Sequence, residues 1–126
     1  MLKEEVRKIV PFFVDERGII TDIVEEAVKH VGIITSKKGS VRGKHYHKKS
    51  TQFIYVISGK LELVTKDLRI KNSKTKSIAL EPGYFAVTPP MVVHKLIFLE
   101  DTVFLDISTE SRGMEGYEKD TVRVDI

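Results

Sequence analysis

The chain has no cysteine and no tryptophan among its 126 residues. Disulfides and thiolate metal sites are thereby excluded, which fits a reducing compartment. A long apolar run is missing as well. The opening stretch, MLKEEVRKIVPFFVDERG, interleaves charges with its apolar residues, so neither a signal peptide nor a membrane span is expected and a cytoplasmic location is. Internal repeats, low-complexity linkers and long amphipathic helical patterns are lacking too. At this length the expectation is one domain, residues 1–126, around one core.

What is present is ordinary for a globular chain, with 41% hydrophobic and 31% charged residues. The net charge of +3 permits an anionic partner without identifying one. The densest basic run, Lys66 to Lys76, carries Asp67, Leu68 and Ile70 within it and no aromatic residue to stack on a base. It reads as a hairpin with a solvated face, and no nucleic-acid partner is expected.

Short β-branched segments between Gly, Pro, Asp and Ser fill most of the chain. Val6 to Val14 is extended and broken at Pro11, and Ile19 to Val24 and Val31 to Ser36 read as strands. Residues 25–30 allow one helical turn or a wide loop, with His30 solvated among charges. Phe53 to Ile57 is apolar on both faces, as a strand buried between two sheets would be. Five further segments follow, at 60–64, 77–80, 84–88, 92–99 and 102–107. The tail from Ser111 ends in alternating Val122 and Val124, which suits a last strand on a sheet edge or on a partner subunit. The pattern predicts an all-β sandwich or jelly-roll barrel, and exposed edges of such barrels are commonly closed by a homodimer.

Chemistry concentrates between Gly39 and Gly59, GSVRGKHYHKKSTQFIYVISG. Side chains alternate along a strand, so His45 and His47 share one face, about 7 Å apart, and Tyr46 takes the other. Two such imidazoles can converge on one metal ion or one substrate. A lone histidine on a strand is ordinarily a half-buried or surface residue. Here a third, His94, follows a second turn-rich passage from Gly83 to Pro90.

Together the two passages resemble the paired motifs of the cupin superfamily. Gly39, His45, His47, Gln52 and Gly59 fall on the first motif, with Gln52 where the family usually has glutamate. Gly83, Pro89 and His94 fall on the second, while Met91 stands at its glycine and Phe98 at its asparagine. Asp15-Glu-Arg17-Gly18 and Arg42-Gly43-Lys-His45 are similar to the DxRG and RGxH segments of cupins that isomerise or epimerise nucleotide-linked keto sugars.

The resemblance implies a double-stranded β-helix and a ligand set of His45, His47, Gln52 and His94 for one divalent ion such as Zn, Mn, Fe or Ni. A metal-free site using the imidazoles directly stays open beside it. For proton transfer α to a carbonyl, the resemblance implies His45 as base, with His47 as base, relay or second acid. Tyr55 and Tyr84 are candidates to return a proton or to contact substrate, and either can equally be a core or rim tyrosine. Arg17 and Arg42 suit the diphosphate of a nucleotide sugar, because guanidinium binds paired oxygens and keeps its charge. Two other readings remain: a metal-dependent oxygenase acting on a small molecule, and a non-catalytic cupin that binds a sugar or small ligand.

Overall fold

A computed structural model describes residues 3–111 and 113–126. Among these the chain forms β1 (Glu5–Lys8), β2 (Phe13–Asp15), β3 (Gly18–Ile20), β4 (His30–Ser36), β5 (Val41–His47) and β6 (Gln52–Ser58). There follow β7 (Leu61–Asp67), β8 (Lys76–Leu80), β9 (Tyr84–Thr88), β10 (Val92–Phe98), β11 (Thr102–Ser108), a short helix α1 (Met114–Asp120) and β12 (Thr121–Arg123). Ten strands make two antiparallel five-stranded sheets, ordered β1-β9-β6-β11-β4 and β12-β5-β10-β7-β8, while β2 and β3 form a separate hairpin. Strands that follow one another in sequence repeatedly change sheet, which is the jelly-roll form of an all-β sandwich.

The two inner faces are built by simple alternation. On β10 the inward side chains are Phe98, Leu96 and His94; on β11 they are Phe104, Asp106 and Ser108; on β6 they are Val56, Ile54 and Gln52. Each central strand therefore runs from apolar to polar along one face. At the apolar end Phe98 and Phe104 stack across the sandwich, centroids 5.8 Å apart, within a cluster that includes Leu61, Leu63, Leu80 and Leu96. Phe98, at the asparagine place of the second motif, is thus a core residue, 1% exposed. Such an aromatic pair adds roughly 0.5–1.5 kcal/mol beyond its burial.

The outer face of the first sheet carries a second cluster of Phe53, Phe85, Val87 and Ile107, roofed by Ile9, Ile23, Val24 and Val28. This explains why β6 is apolar on both faces, but its outer cover is irregular chain and not a second sheet. The strand expected over residues 19–24 accordingly stops at Ile20, and no helix forms over 25–30. Those residues bury their apolar side chains on the outer cluster, a contact that continued pairing with the short β2 would forgo. No described helix is long and apolar enough to cross a membrane.

One turn is closely packed against its neighbour. Gly59, with φ near 90°, joins β6 to β7, and a Cβ there would stand 2.3 Å from the Asp101 carbonyl and 2.5 Å from Thr102 Oγ1. Gly18 also has positive φ but nothing within 4 Å of a built Cβ. Gly59→Ala is expected to cost about 3 kcal/mol or more, adding displaced backbone to the left-handed penalty. Gly18→Ala should cost only about 1–2 kcal/mol. Urea denaturation of both variants beside the parent checks the difference, and equal losses would refute it.

Candidate active site

The site begins with an irregularity in β5. Gly43 (φ 87°) and Lys44 (φ 62°) sit in the left-handed region, and the β5–β10 register shifts there, so that Gly43 opposes Lys95 while His45 opposes His94. The extra residue is a bulge, and it re-aims the side chains that follow. Glycine is required at 43, because a Cβ would lie 2.8 Å from the His94 carbonyl. This gives the Arg42-Gly43-Lys-His45 segment its physical reason. Met91, where the second motif usually has glycine, likewise has φ 68°, and its N–H donates to the His47 carbonyl at 2.8 Å. A methionine there accepts some strain to hold that bond.

The bulge brings three imidazoles together. Ring centroids of His45 and His94 are 4.6 Å apart, of His45 and His47 4.9 Å, and of His47 and His94 5.5 Å. They face a cavity of about 170 Å³ between the polar ends of the two sheets, lined also by Arg42, Gln52, Asp106 and Tyr117. The Tyr117 ring, on α1, lies 6.3 Å from His45 and 5.8 Å from His47.

Hydrogen bonds assign two of the tautomers. Thr121 Oγ1 gives its one proton to the Tyr117 carbonyl at 2.7 Å, so toward His47 Nδ1, 3.2 Å away, it can only accept. His47 therefore carries hydrogen on Nδ1 and keeps a lone pair on Nε2. Asp120 anchors this corner: its carboxylate accepts from the backbone N–H groups of Lys49 at 2.7 Å and Ser50 at 3.2 Å, and lies 3.7 Å from His47 Nδ1. His94 Nδ1 faces the Val92 carbonyl at 3.5 Å, which leaves Nε2, buried and without a hydrogen-bond partner, as the lone-pair nitrogen. Burial first, and then the charges His45 and His47 can carry, hold His94 well below the usual histidine pKa, so it is neutral.

The structure gathers His45, His47, Gln52, His94 and Arg42 around one cavity and leaves three other expected residues outside it. Tyr55 is on the opposite face of β6 from Gln52, packed on the outer cluster, because positions 52 and 55 differ in parity along the strand. Tyr84 packs on the inner core at the far end of β9 from Thr88, about 13 Å along the strand. Arg17 sits at the exposed tip of the β2–β3 hairpin, paired with Asp15 at 2.7 Å. Arg42 bridges the sheets, donating to Ser36 Oγ at 2.7 Å and the Thr35 carbonyl at 3.1 Å.

Sequence reasoning passed over Asp106, Tyr117, Asp120 and His30. Asp106 was detectable in principle, since it shares strand parity with buried Phe104 and is wholly buried itself. His30, read as solvated, is half-buried, its Nδ1 4.0 Å from Asp106. Tyr117 and Asp120 belong to a seven-residue helix in a polar tail, and no local pattern points them at the cavity.

The donor set fits a metal. Ligand nitrogens of His45, His47 and His94 all lie within 4.8 Å of one another, and clustered imidazole nitrogens are what a divalent transition ion takes. Gln52 lines the same cavity, so its amide oxygen is available as an additional donor.

A double-sheet jelly roll with its imidazoles on inner strands defines a barrel with a candidate site between its sheets. The family model for the cupin domain matches residues 32–108, and the chain belongs to that family. Among solved structures it is similar to a sugar 3,4-ketoisomerase from Thermoanaerobacterium thermosaccharolyticum, a double mutant in complex with TDP. The identity is 28% over 98% of this chain and 89% of that one, with TM-score 0.75. Another mutant of that ketoisomerase, in complex with TDP-4-keto-6-deoxyglucose, matches at 26% identity over the same shares, with TM-score 0.76. A dTDP-4-dehydrorhamnose 3,5-epimerase from Sulfolobus tokodaii shares the fold at 24% identity over 82% of this chain and 69% of that one, with TM-score 0.65. No match was found among curated proteins.

The depressed His94 pKa has a thermodynamic consequence. Its unfolded form binds a proton below about pH 6.5 while the folded form resists it, so stability is intact above that pH and falls as pH drops toward the lower folded value. In chelator-treated protein the slope from this one group should approach about 1.4 kcal/mol per pH unit. Denaturation between pH 7.5 and 5 should show the slope in the parent and a flatter profile in His94→Gln. An unchanged profile would refute it.

Proposed function

We propose that the chain transfers a proton α to the carbonyl of a nucleotide-linked keto sugar, isomerising or epimerising it. The observation that carries this is His47, whose Nδ1 hydrogen is directed at Thr121 and whose Nε2 bears the lone pair, in a barrel similar over nearly its whole length to a sugar 3,4-ketoisomerase in complex with TDP. In this reading His47 Nε2 takes the carbon-bound proton, and Asp120 at 3.7 Å favours the imidazolium that results. His45, between His47 and His94, is the neighbouring acid or relay. Tyr117 replaces Tyr55 as the hydroxyl that donates to the enediolate oxygen or returns a proton from another direction.

For the diphosphate, Arg42 is the candidate on the cavity wall. A second cleft lined by Lys48, Lys49 and Lys119 shares Glu110 and Asp120 with it. A divalent ion held by His45, His47 and His94 would supply Lewis-acid polarisation of the carbonyl. That same donor set is what favours the second reading, a metal-dependent oxygenase acting on a small molecule.

Incubation with TDP-4-keto-6-deoxyglucose in deuterium oxide, followed by proton NMR, tests the proposal. A new keto sugar should form, or deuterium should enter beside the carbonyl, and His47→Asn should lower kcat by about 10²–10⁴-fold. Oxygen consumption with no exchange at any carbon would sink proton transfer and promote the oxygenase.

A homodimer is part of the same proposal. The hairpin exposes Phe13, Val14, Ile19 and Ile20, preceded by exposed Phe12, and β4, an edge strand with no strand on its outer side among the described residues, exposes Val31 and Ile33. A two-stranded hairpin is marginal in water, and such an edge invites pairing. Light scattering should give twice 14.4 kDa, and Ile33→Lys with Phe13→Glu should halve it. A parent of 14.4 kDa would refute the dimer.

A further inference from the structure

Four buried side-chain polar atoms have no hydrogen-bond partner among the described residues: His30 Nδ1, Gln52 Oε1, Thr88 Oγ1 and His94 Nε2. The first three fall on one line. Thr88, Gln52, Ser108 and His30 are successive register partners across β9, β6, β11 and β4. Residues opposed on antiparallel strands point to the same face, so this row turns inward, toward the imidazoles of the other sheet. Buried polar atoms are ordinarily paired, and of these three Gln52 belongs to the cavity wall, so its orphaned oxygen marks a place where something else completes it.

Asp106, one step along β11 on the same face, organises the row. It accepts a hydrogen bond from Gln52 Nε2 at 2.5 Å and has His30 Nδ1 at 4.0 Å. Gly32 makes room for this: a Cβ there would meet the His30 ring at 3.1 and 3.2 Å, so glycine eases the close approach of that imidazole across β4 toward Asp106. A carboxylate accepts and does not donate, so the nitrogen of the Gln52 carboxamide must face it. The carboxamide oxygen is then committed to the other direction.

We propose that Asp106, backed by His30, fixes the Gln52 carboxamide with its oxygen toward the cavity, making this wall a subsite that accepts a hydrogen bond from a ring hydroxyl of the sugar. Gln52 is then a substrate-binding residue, and Asp106 and His30 are positioning residues. This rests on the proposed keto-sugar reading and deepens it. An acceptor wall favours a hydroxyl, which donates, over a carbonyl, which cannot. It therefore turns the hydroxyl-bearing carbon toward Gln52 and leaves the carbonyl for a donor from the other side of the cavity, the Tyr117 hydroxyl.

Calorimetric titration of the full chain tests this with TDP, TDP-6-deoxyglucose and the analogues of that sugar lacking the 3- or the 4-hydroxyl. The parent should bind TDP-6-deoxyglucose about 10- to 100-fold more tightly than one of the two deoxy analogues. Gln52→Met, which keeps the volume and removes the acceptor, should abolish that preference while leaving TDP affinity unchanged. Asp106→Asn should do the same, because asparagine can donate to Gln52 Oε1 and let the carboxamide turn. His30→Gln should retain more of the preference than His30→Ala. Retention of the full preference in both Gln52→Met and Asp106→Asn would overturn the subsite and leave the keto-sugar reading standing. Loss of bound zinc in Gln52→Met with the preference intact would also overturn it, assigning the oxygen to a metal. Failure of the parent to bind any of the nucleotide sugars would remove the keto-sugar reading and the subsite with it.

Discussion

The stacking of Phe98 on Phe104 is the contact on which the rest depends. One ring comes from each sheet, and together with the leucines around them they set how far apart the inner faces stand. Sheets pack at about 10 Å because side chains interdigitate at that distance. Farther along the same strands the inward residues become His94, Asp106 and Gln52, but the sheets are already held. The polar ends cannot collapse onto each other, and a cavity is left. A hydrophobic core at one end of the sandwich therefore sustains an aqueous-sized space at the other.

That space has two unlike walls. The sheet containing β5 and β10 contributes basic, lone-pair-bearing nitrogens, whereas the sheet containing β6 and β11 contributes hydroxyl, amide and carboxylate groups. Backbone geometry produces the difference economically. On one side a single bulge at Lys44 sets His45 opposite His94; on the other a glycine at 32 lets His30 approach Asp106. The C-terminal helix and β12 then lock the outer histidine, since Thr121 and Asp120 both meet His47 Nδ1. Each device is local, yet each acts on a residue contributed by a different part of the chain.

Much of the fold was legible because strands announce themselves by short β-branched runs between turn residues, and nearly all of these became strands. The spacing of His45, His47 and His94 with their glycines was legible for a related reason: the turns and the bulge demand particular residues at particular places. What was not legible depended on contacts across the sandwich. Tyr55 carries no mark that distinguishes the outer face of β6 from the inner one, because both faces are apolar. Buried Asp106 and half-buried His30 look like any charged strand residues until β4 and β11 are paired. Tyr117 reaches the cavity only because β12 docks on β5, a pairing between the end of the chain and its middle. The strand read over residues 19–24 failed where a surface on another element competed for its side chains.

The bulge at Lys44 also bears on how such a site can change over time. Strand alternation makes the two faces of β5 a reading frame with a period of two residues. An extra residue held in the left-handed region resets that frame at one point without moving the strands beside it. Loss of that one residue, with the pairing on either side kept, leaves Gly43 opposite Lys95 and His45 opposite His94, so the bulge can absorb a one-residue change without turning the imidazoles off the inner face.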